Sequence, residues 1–205
     1  MSKFNGDGKP AISVIIIDSR SLIKPEWVEK AIDSVKTQTF KDLELIVLDN
    51  KGRTNSIGNM YNQGVRLAEA DWVYFLGDDD FVSLDYFGSL KAFIDKYADE
   101  NTVCCSTYST FFDDEKKVMS INAMTPTGAF RREYLLENKF NEDIKRYIDV
   151  EMYKRFDKQG WKAKICRWHF GYYYRQHNGN ISGRKTIKPM NKEEVGESIK
   201  PVPEN

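Results

Sequence analysis

The chain has 205 residues, of which 40% are hydrophobic and 13% aromatic, so its composition is that of a globular protein with one sizeable core and not of a disordered chain. Lys and Arg together number 31, as do Asp and Glu, so no overall charge favours nucleic acid as a partner. No apolar run is long enough to span a membrane and the N-terminus lacks the apolar core of a signal peptide, so we expect a soluble, cytoplasmic protein.

The three cysteines do not form the framework of a disulfide-rich protein. Cys104 and Cys105 are adjacent within an apolar run, where buried free thiols are common. Cys166 and His169 have the spacing of half a zinc site, but no second Cys/His pair with suitable spacing follows. We therefore expect free thiols in the core.

The first part of the chain alternates between apolar runs and amphipathic segments. Residues 1–10 are polar and contain glycine, and we interpret them as a flexible arm. The pattern that follows predicts strands at 11–17, 43–48 and 72–76, and helices at 25–37 and 57–68. Strands that alternate with helices over short connections are typical of an α/β fold with a parallel, doubly wound sheet.

Each of these three strands ends near an aspartate: Asp18, Asp49 and Asp78. Because the carboxyl ends of parallel strands meet at one edge of a sheet, we expect these side chains to line the same edge, which is where ligands bind in open α/β sheets. An acidic edge of this kind, with a cation bound to it, suits a nucleoside diphosphate.

Three consecutive aspartates, Asp78, Asp79 and Asp80, follow the third strand. Carboxylates packed this densely at the end of a buried strand repel one another and need solvation or a cation. Adjacent hard oxygen ligands are what Mg²⁺ or Mn²⁺ prefers. The alternative is a solvated acidic turn that caps the next helix, and the triplet by itself favours neither interpretation.

The rest of the chain has a heavy aromatic content. Its patterns predict a helix over 84–97, a strand over 102–108, a polar turn at 112–117 and a return strand over 117–121. Residues 126–132 then lead into a short helix at 133–138, which is followed by a helix over 148–159 and strands over 161–168 and 171–174. Residues 183–205 lose this periodicity, and we interpret them as a tail.

Asp149 stands in the first turn of the last predicted helix. Its spacing places it on the same face as Met152 and Phe156, and a carboxylate on an apolar helix face is unusual. The simpler explanation is capping and a favourable interaction with the helix dipole, and the local pattern alone favours that explanation. Glu151 and Arg155 lie on another face and are expected to form a surface pair.

Together these pieces resemble the family 2 glycosyltransferases, which have the GT-A nucleotide-sugar-binding fold. The resemblance covers about residues 11–182 and rests on several motifs in the family's order. The matching segments are 12–17 (ISVIII), 31–40 (AIDSVKTQTF), 45–50 (LIVLDN), 62–64 (NQG), 68–73 (AEADWV), 78–80 (DDD), 128–132 (GAFRR), 149–156 (DVEMYKRF) and 174–177 (YRQH).

The resemblance implies a single α/β domain of GT-A type, with a Rossmann-like, mostly parallel sheet and helices on both faces. This domain would occupy residues 11–182. Residues 11–108 would form the nucleotide-sugar-binding half and residues 109–182 the acceptor-side half. The arm at 1–10 and the tail at 183–205 would lie outside it.

The resemblance also implies roles for the acidic strand ends. Asp49 would hydrogen-bond the nucleotide base, which is uracil in many relatives. Asp79, with Asp78 or Asp80, would hold Mn²⁺ or Mg²⁺ against the diphosphate, where the cation stabilises the leaving group. The residues expected at the donor are Asp18, Asp49, Asn62, Asp78 and Arg175, and those expected at the cation are Asp78, Asp79, Asp80 and His177.

Asp149 would be the catalytic general base. It would take the proton of the acceptor hydroxyl while that oxygen attacks the anomeric carbon in line, which gives a single displacement with inversion. An apolar helix face would raise the pKa of a carboxyl group towards a useful value.

Several positions depart from the family's pattern. Residues 17–20 (IDSR) stand where PTYN is usual, and Tyr61 stands where arginine is common. Ile148 replaces the first acid of an acidic pair, and Gly77 shifts the acidic triplet by one place. The register therefore leaves open which two of the three aspartates contact the cation.

The expected activity is metal-dependent, inverting transfer of a sugar from a nucleoside-diphosphate sugar to a hydroxyl acceptor, by default a glycan or glycan precursor. A hydroxylated DNA base is a second acceptor, because Arg131, Arg132, Lys145, Arg146 and the tail could form a local cationic face. A sugar-nucleotide-binding module without catalysis is another possible function. A metal-dependent nucleotidyltransferase is disfavoured, because no glycine-rich phosphate loop follows the first strand.

Overall fold

The computed structural model describes residues 8–112, 118–145, 147–166, 169 and 171–177. The helices in this part of the chain are α1 (Pro25–Lys36), α2 (Ile57–Leu67), α3 (Tyr86–Tyr97), α4 (Arg132–Glu137) and α5 (Ile148–Lys158). The strands are β1 (Ile12–Asp18), β2 (Leu43–Asp49), β3 (Trp72–Leu76), β4 (Phe81–Val82), β5 (Thr102–Phe112), β6 (Val118–Arg131), β7 (Lys162–Cys166) and β8 (Tyr172–Arg175).

All of these strands belong to one sheet, in the order β2-β1-β3-β6-β5-β8-β4, with β7 paired to β5. β1 is parallel to both β2 and β3, and β5 is parallel to both β7 and β8. β6 is antiparallel to β3 and β5, and β4 is antiparallel to β8. The predicted parallel half, β2-β1-β3, is confirmed, and it continues into a half of mixed direction.

β1 lies at the centre of the parallel half and is buried along its whole length, which explains its continuous apolar run. Ile12, Val14 and Ile16 pack in one cluster with residues of α1 and α3. Ile15 belongs to a second cluster, which includes residues of α2, α4 and α5. Helices therefore cover both faces of the sheet, as the alternation of strands and helices predicted.

The antiparallel return strand, β6, is longer than the predicted strand over 117–121, because it continues through residue 131 to the start of the short helix α4. Its last residues lie between β3 and β5, with Phe130 opposite both Val73 and Cys104. Gly128 suits this crowded position, since a Cβ there would lie 2.5 Å from Cys104 Sγ. The two neighbouring strands, and not its own pattern, define this end of β6.

Some predictions concern residues outside the described ranges, namely most of the arm at 1–10, residues 113–117 of the turn predicted at 112–117, Arg146 and the tail at 183–205. Within the described ranges, no helix is long and apolar enough to cross a membrane. Cys104, Cys105 and Cys166 are free and buried, as predicted.

Candidate functional site

The carboxyl ends of β1 and β2 place two of the predicted donor-binding aspartates side by side. Asp18 and Asp49 are direct partners in the parallel register. Asp18 is buried, accepts a hydrogen bond of 2.9 Å from the Ser21 N–H and lies 3.6 Å from Lys51 Nζ. Asp49 is exposed and accepts a hydrogen bond of 3.0 Å from the Lys51 N–H. A ligand at this edge would therefore meet one buried and one accessible carboxylate.

Asp78 ties the end of β3 to the loop that follows β1. Its carboxylate accepts a hydrogen bond of 2.8 Å from the Ser19 N–H and forms an ion pair with the Arg20 guanidinium. Burial raises the pKa of Asp78, although the charge of Arg20 opposes this shift. Asp78 thereby holds the first loop against the third strand.

Asp79 is the member of the triplet that has two nitrogen-bearing side chains on one oxygen. His177 Nε2 lies 2.8 Å from Asp79 Oδ2, and Arg20 Nη2 lies 3.1 Å from the same atom. Burial opposes ionisation, but the hydrogen bond from His177 and the charge of Arg20 together lower the pKa of Asp79 below its ordinary value. Asp79 is therefore a carboxylate at neutral pH.

Asp80 connects the end of β3 to β8. Its two carboxylate oxygens accept hydrogen bonds of 2.5 Å from the Tyr172 hydroxyl and 2.8 Å from the Arg175 N–H. Burial and the adjacent charge of Asp79 raise the pKa of Asp80 well above its ordinary value. Asp80 is thus engaged by β8, whereas Asp78 and Asp79 both contact Arg20.

We expect Asp80→Asn to stabilise the protein in EDTA, by a margin that grows as the pH rises. Because the folded protein has a raised pKa for Asp80, the free energy of unfolding of the wild type falls as the pH rises from 3.8, the ordinary pKa, to the pKa in the folded state. Above 3.8 the unfolded chain ionises freely, whereas the folded protein must ionise a buried carboxylate beside Asp79. The asparagine has nearly the same shape and does not ionise. Urea unfolding midpoints between pH 4 and 8 measure the difference. The exposed variant Asp33→Asn is the control, and a pH-independent difference for Asp80→Asn would contradict the prediction.

Arg175 and His177 reach the triplet from the end of β8 and share an aromatic neighbour. Arg175 Nε donates a hydrogen bond of 2.8 Å to the Asp79 carbonyl. The Arg175 guanidinium lies 4.6 Å from the ring of Trp27 and 4.8 Å from that of Phe112. The His177 ring also packs against Trp27, with a centroid distance of 4.8 Å. Trp27 on α1 therefore supports both basic residues of the closing segment.

Asn62 occupies a different place from the aspartates. Its side chain donates hydrogen bonds to the Phe140 carbonyl and to Glu142, at 3.0 and 2.9 Å, and accepts one of 2.9 Å from the Phe140 N–H. Asn62 is buried in α2, so these bonds attach the segment after α4 to helix α2. A direct contact with the donor stays a prediction for this residue.

Asp149 lies half-buried in the first turn of α5, after Tyr147, which has a left-handed backbone conformation with φ 59°. The ring of Tyr61 packs against Phe75 and Phe140. Burial, then the charge of Asp149, then the charges of the triplet raise the pKa of Tyr61. Asp149 and the triplet therefore lie within electrostatic range of one hydroxyl group.

The side chains at this edge fit a divalent cation in their chemistry. Asp79 offers a hard carboxylate oxygen and His177 an imidazole nitrogen, both of which are ligands for Mn²⁺. Among the described residues, no three His, Cys, Asp or Glu side chains already converge to form a metal cluster. A cation would therefore take part of its coordination shell from a bound diphosphate, which is the usual arrangement for Mg²⁺ with phosphates.

Three residues of this site, Trp27, Tyr172 and Arg20, have no predicted role there. The helical spacing of Trp27 predicts only a core position, and Tyr172 lies in an aromatic segment that predicts only a strand. Arg20 did leave a signal, because it lies in the loop after Asp18, where the sequence departs from the family's pattern.

A parallel three-stranded half with an acidic carboxyl edge, extended by a mixed half that returns to that edge through β8, defines a domain of GT-A type. A model of the glycosyl transferase family 2 matches residues 14–178. The chain therefore belongs to this family of glycosyltransferases.

Individual relatives are distant. EpsH of Bacillus subtilis (strain 168), which is named as a glycosyltransferase, is 18% identical over an alignment of 169 residues that covers 71% of this chain and 47% of EpsH. TarS from S. aureus in complex with UDP-GlcNAc has a TM-score of 0.65 at 17% identity and is matched over 86% of this chain and 62% of that one. The mannosyltransferase PcManGT from Pyrobaculum calidifontis, in complex with GDP-Man and Mn²⁺, has a TM-score of 0.64 at 14% identity, over 84% and 59%.

This chain thus spans less than two thirds of each relative, with coverage of 47%, 62% and 59%. At these identities the solved structures establish a common fold.

Proposed function

We propose that this chain is a metal-dependent, inverting glycosyltransferase that moves a sugar from a nucleoside-diphosphate sugar to a hydroxyl group. The observation that carries the proposal is the ion cluster of Asp79, His177 and Arg20 at the carboxyl edge of the sheet. Two structural neighbours were solved with UDP-GlcNAc and with GDP-Man and Mn²⁺, which supports a nucleotide-sugar donor and a divalent cation. A UDP-sugar is our first choice of donor, because TarS binds UDP-GlcNAc.

We assign the donor to the edge formed by β1 and β2. Asp49 is exposed and next to Asp18, so it is available to hydrogen-bond a nucleotide base. Asp78 acts on the donor through the loop that it holds, and Arg175 stands beside the triplet as a cation for the diphosphate. Asn62 supports the site from α2 by fixing the segment around Phe140.

Asp79 and His177 are the residues that would hold Mn²⁺ or Mg²⁺, with Asp78 as the second carboxylate. We assign Asp80 to shaping the site, because its two oxygens accept hydrogen bonds from strand β8, whereas the partner of Asp78 Oδ1 is the side chain of Arg20 in a loop. The cation, when bound, would supply Lewis-acid stabilisation of the negative charge that develops on the leaving diphosphate.

Asp149 is the proposed general base. Its carboxylate takes the proton from the acceptor hydroxyl as that oxygen forms a bond to the anomeric carbon. The bond between the anomeric carbon and the diphosphate oxygen breaks in the same step, and the electron pair leaves with the nucleoside diphosphate. Attack from the face opposite the leaving group inverts the anomeric configuration. The position of Asp149 at the start of α5, within electrostatic range of Tyr61, supports this role.

A glycan or glycan precursor is the proposed acceptor. The DNA alternative loses support, because Arg131 and Arg132 do not present their guanidinium groups as a phosphate-binding face. Arg131 donates to the Thr102 and Asp99 carbonyls, and Arg132 donates to the Val65 carbonyl. Arg131 also pairs with Trp72, at the start of β3, and therefore lies at the opposite end of that strand from the aspartates.

A panel of nucleotide sugars with Mn²⁺ tests the proposal. We expect one donor to release free sugar slowly in the absence of acceptor, since water can replace the acceptor hydroxyl, and we expect UDP-sugars to lead the panel. If the protein binds a donor but neither hydrolyses it nor transfers its sugar to an added glycan, the protein is a non-catalytic binding module. Binding of no donor in the presence of Mn²⁺ or Mg²⁺ would reject both functions.

A further inference from the structure

Arg20 occupies the space between the two aspartates that are proposed to hold the cation. Its guanidinium pairs with Asp78 Oδ1 through Nη1 and lies 3.1 Å from Asp79 Oδ2 through Nη2. Only 13% of its side chain is exposed, so this is a buried contact and not a surface pair. Asp79 Oδ2 is also the atom that His177 contacts. Arg20 therefore shares with His177 the oxygen that is best placed to bind a cation.

A guanidinium and a divalent cation compete for such carboxylates. The planar fork of arginine matches two acceptor oxygens, and its charge is permanent at any pH at which the protein is folded. A divalent cation held by Asp78 and Asp79 would use the same oxygen lone pairs. The guanidinium and the metal ion would also repel each other strongly if both contacted the same buried oxygens. Cation binding by both Asp78 and Asp79 therefore requires the fork to leave them.

The loop that carries Arg20 is attached in a way that permits such a movement. The backbone N–H of Ser19 donates a hydrogen bond to Asp78 Oδ2, and the backbone N–H of Ser21 donates one to Asp18. Both anchors are backbone bonds on either side of Arg20, so its side chain can turn out of the site while the loop keeps its course. The triplet in turn needs a positive charge near it, because three buried aspartates follow one another.

We propose that Arg20 is an internal counter-cation of the donor site, which neutralises Asp78 and Asp79 until a divalent cation displaces it. The inference rests on the proposed function, since it assigns to Arg20 the control of cation affinity at that site. The wild-type protein accordingly binds the cation more weakly than the same site would without the Arg20 guanidinium. The same guanidinium keeps the protein folded when no cation is bound.

The test is calorimetric titration of Mn²⁺ into the wild type and Arg20→Gln, first without UDP and then with saturating UDP, and the affinities are compared in the condition in which the wild type binds. Removing the competing fork is expected to tighten Mn²⁺ binding by about 10- to 100-fold, the range that a lost charge-assisted bidentate bond represents. Arg53→Gln is the matched control, because Arg53 is exposed and its Nε lies 3.4 Å from the Ser19 carbonyl, in contact with the same loop. It should bind Mn²⁺ no more than about twofold more tightly than the wild type.

Thermal unfolding gives a second readout that does not depend on activity. In EDTA, Arg20→Gln should melt at a lower temperature than the wild type, because the aspartates lose their counter-cation, and Mn²⁺ should raise its melting temperature by more. Arg20→Lys keeps the charge without the fork, so it should show a smaller gain in Mn²⁺ affinity. It replaces the glutamine variant if that variant does not fold.

Equal Mn²⁺ affinities for wild type and Arg20→Gln, or for wild type and Arg20→Lys where only that variant folds, would overturn the role of Arg20 while the proposed function stands. Tighter binding by both the Arg20 and the Arg53 variants would also overturn it, since the effect would then be one of general charge. Absence of Mn²⁺ and Mg²⁺ binding in every variant, with UDP present as well, would instead remove the metal-dependent function and the inference with it.

Discussion

Asp149→Asn is expected to reduce sugar transfer by about 10²- to 10⁴-fold while donor binding stays unchanged. The amide has nearly the same shape as the carboxylate, but it cannot accept the proton that the acceptor hydroxyl must lose. The cluster around Asp79 consists of Arg20 and His177 and does not include Asp149. The donor and the cation should therefore bind the variant as they bind the wild type. Transfer rates with the best donor of the panel and calorimetry with the corresponding nucleoside diphosphate measure the two properties separately.

Glu151→Gln on the same helix is the matched control. Glu151 forms the predicted surface ion pair with Arg155, at 2.9 Å, one helical turn apart, and the structure confirms this pair. Removing its charge should leave transfer nearly unaffected, because surface pairs of this type contribute little. If Asp149→Asn transfers sugar at the wild-type rate, the general base is another group. If it loses donor affinity as well, Asp149 belongs to the donor site.

Asp79→Asn should remove the dependence of nucleoside diphosphate binding on Mn²⁺. Asp79 is the carboxylate that contacts both His177 and Arg20, and its lowered pKa keeps it charged at neutral pH. An amide at this position is a poor ligand for a hard cation, so we expect Mn²⁺ affinity to fall by at least about 100-fold. Calorimetric titration of UDP with Mn²⁺ and with EDTA gives the effect directly.

Asp95→Asn is the control for this variant, because Asp95 forms an exposed ion pair with Lys91 on α3. Its Mn²⁺-dependent affinity for UDP should match that of the wild type. Unchanged Mn²⁺ dependence in Asp79→Asn would reject Asp79 as a cation ligand. A circular dichroism spectrum of each variant establishes that the fold survives, since Asp79→Asn also weakens the contact with Arg20.

These two variants also separate the proposed function into its parts. Asp79→Asn affects donor binding through the cation, and Asp149→Asn affects the chemical step. A protein that only binds nucleotide sugars would respond to the first change and would have no transfer activity for the second change to remove. The two variants together therefore distinguish a glycosyltransferase from a protein that only binds nucleotide sugars.

The sequence by itself determined the parallel half of the sheet and the side on which a ligand would bind. Continuous apolar runs at β1 and β3, helical periodicity between them and short connections allow few topologies. Aspartates near the strand ends must then meet at one edge, as the pairing of Asp18 with Asp49 shows. All of this follows from local patterns, since each pattern is complete within one strand or one helix.

Only the tertiary structure decided the far end of β6, the short strand β4 and the partners of each aspartate in the triplet. β4 and the last part of β6 are strands because distant segments, β8 and β3, pair with them. Asp78, Asp79 and Asp80 are identical neighbours in sequence, yet the first loop holds one, β8 holds another, and Asp79 contacts both Arg20 and His177. These differences come from contacts between residues far apart in the chain, which no local periodicity encodes.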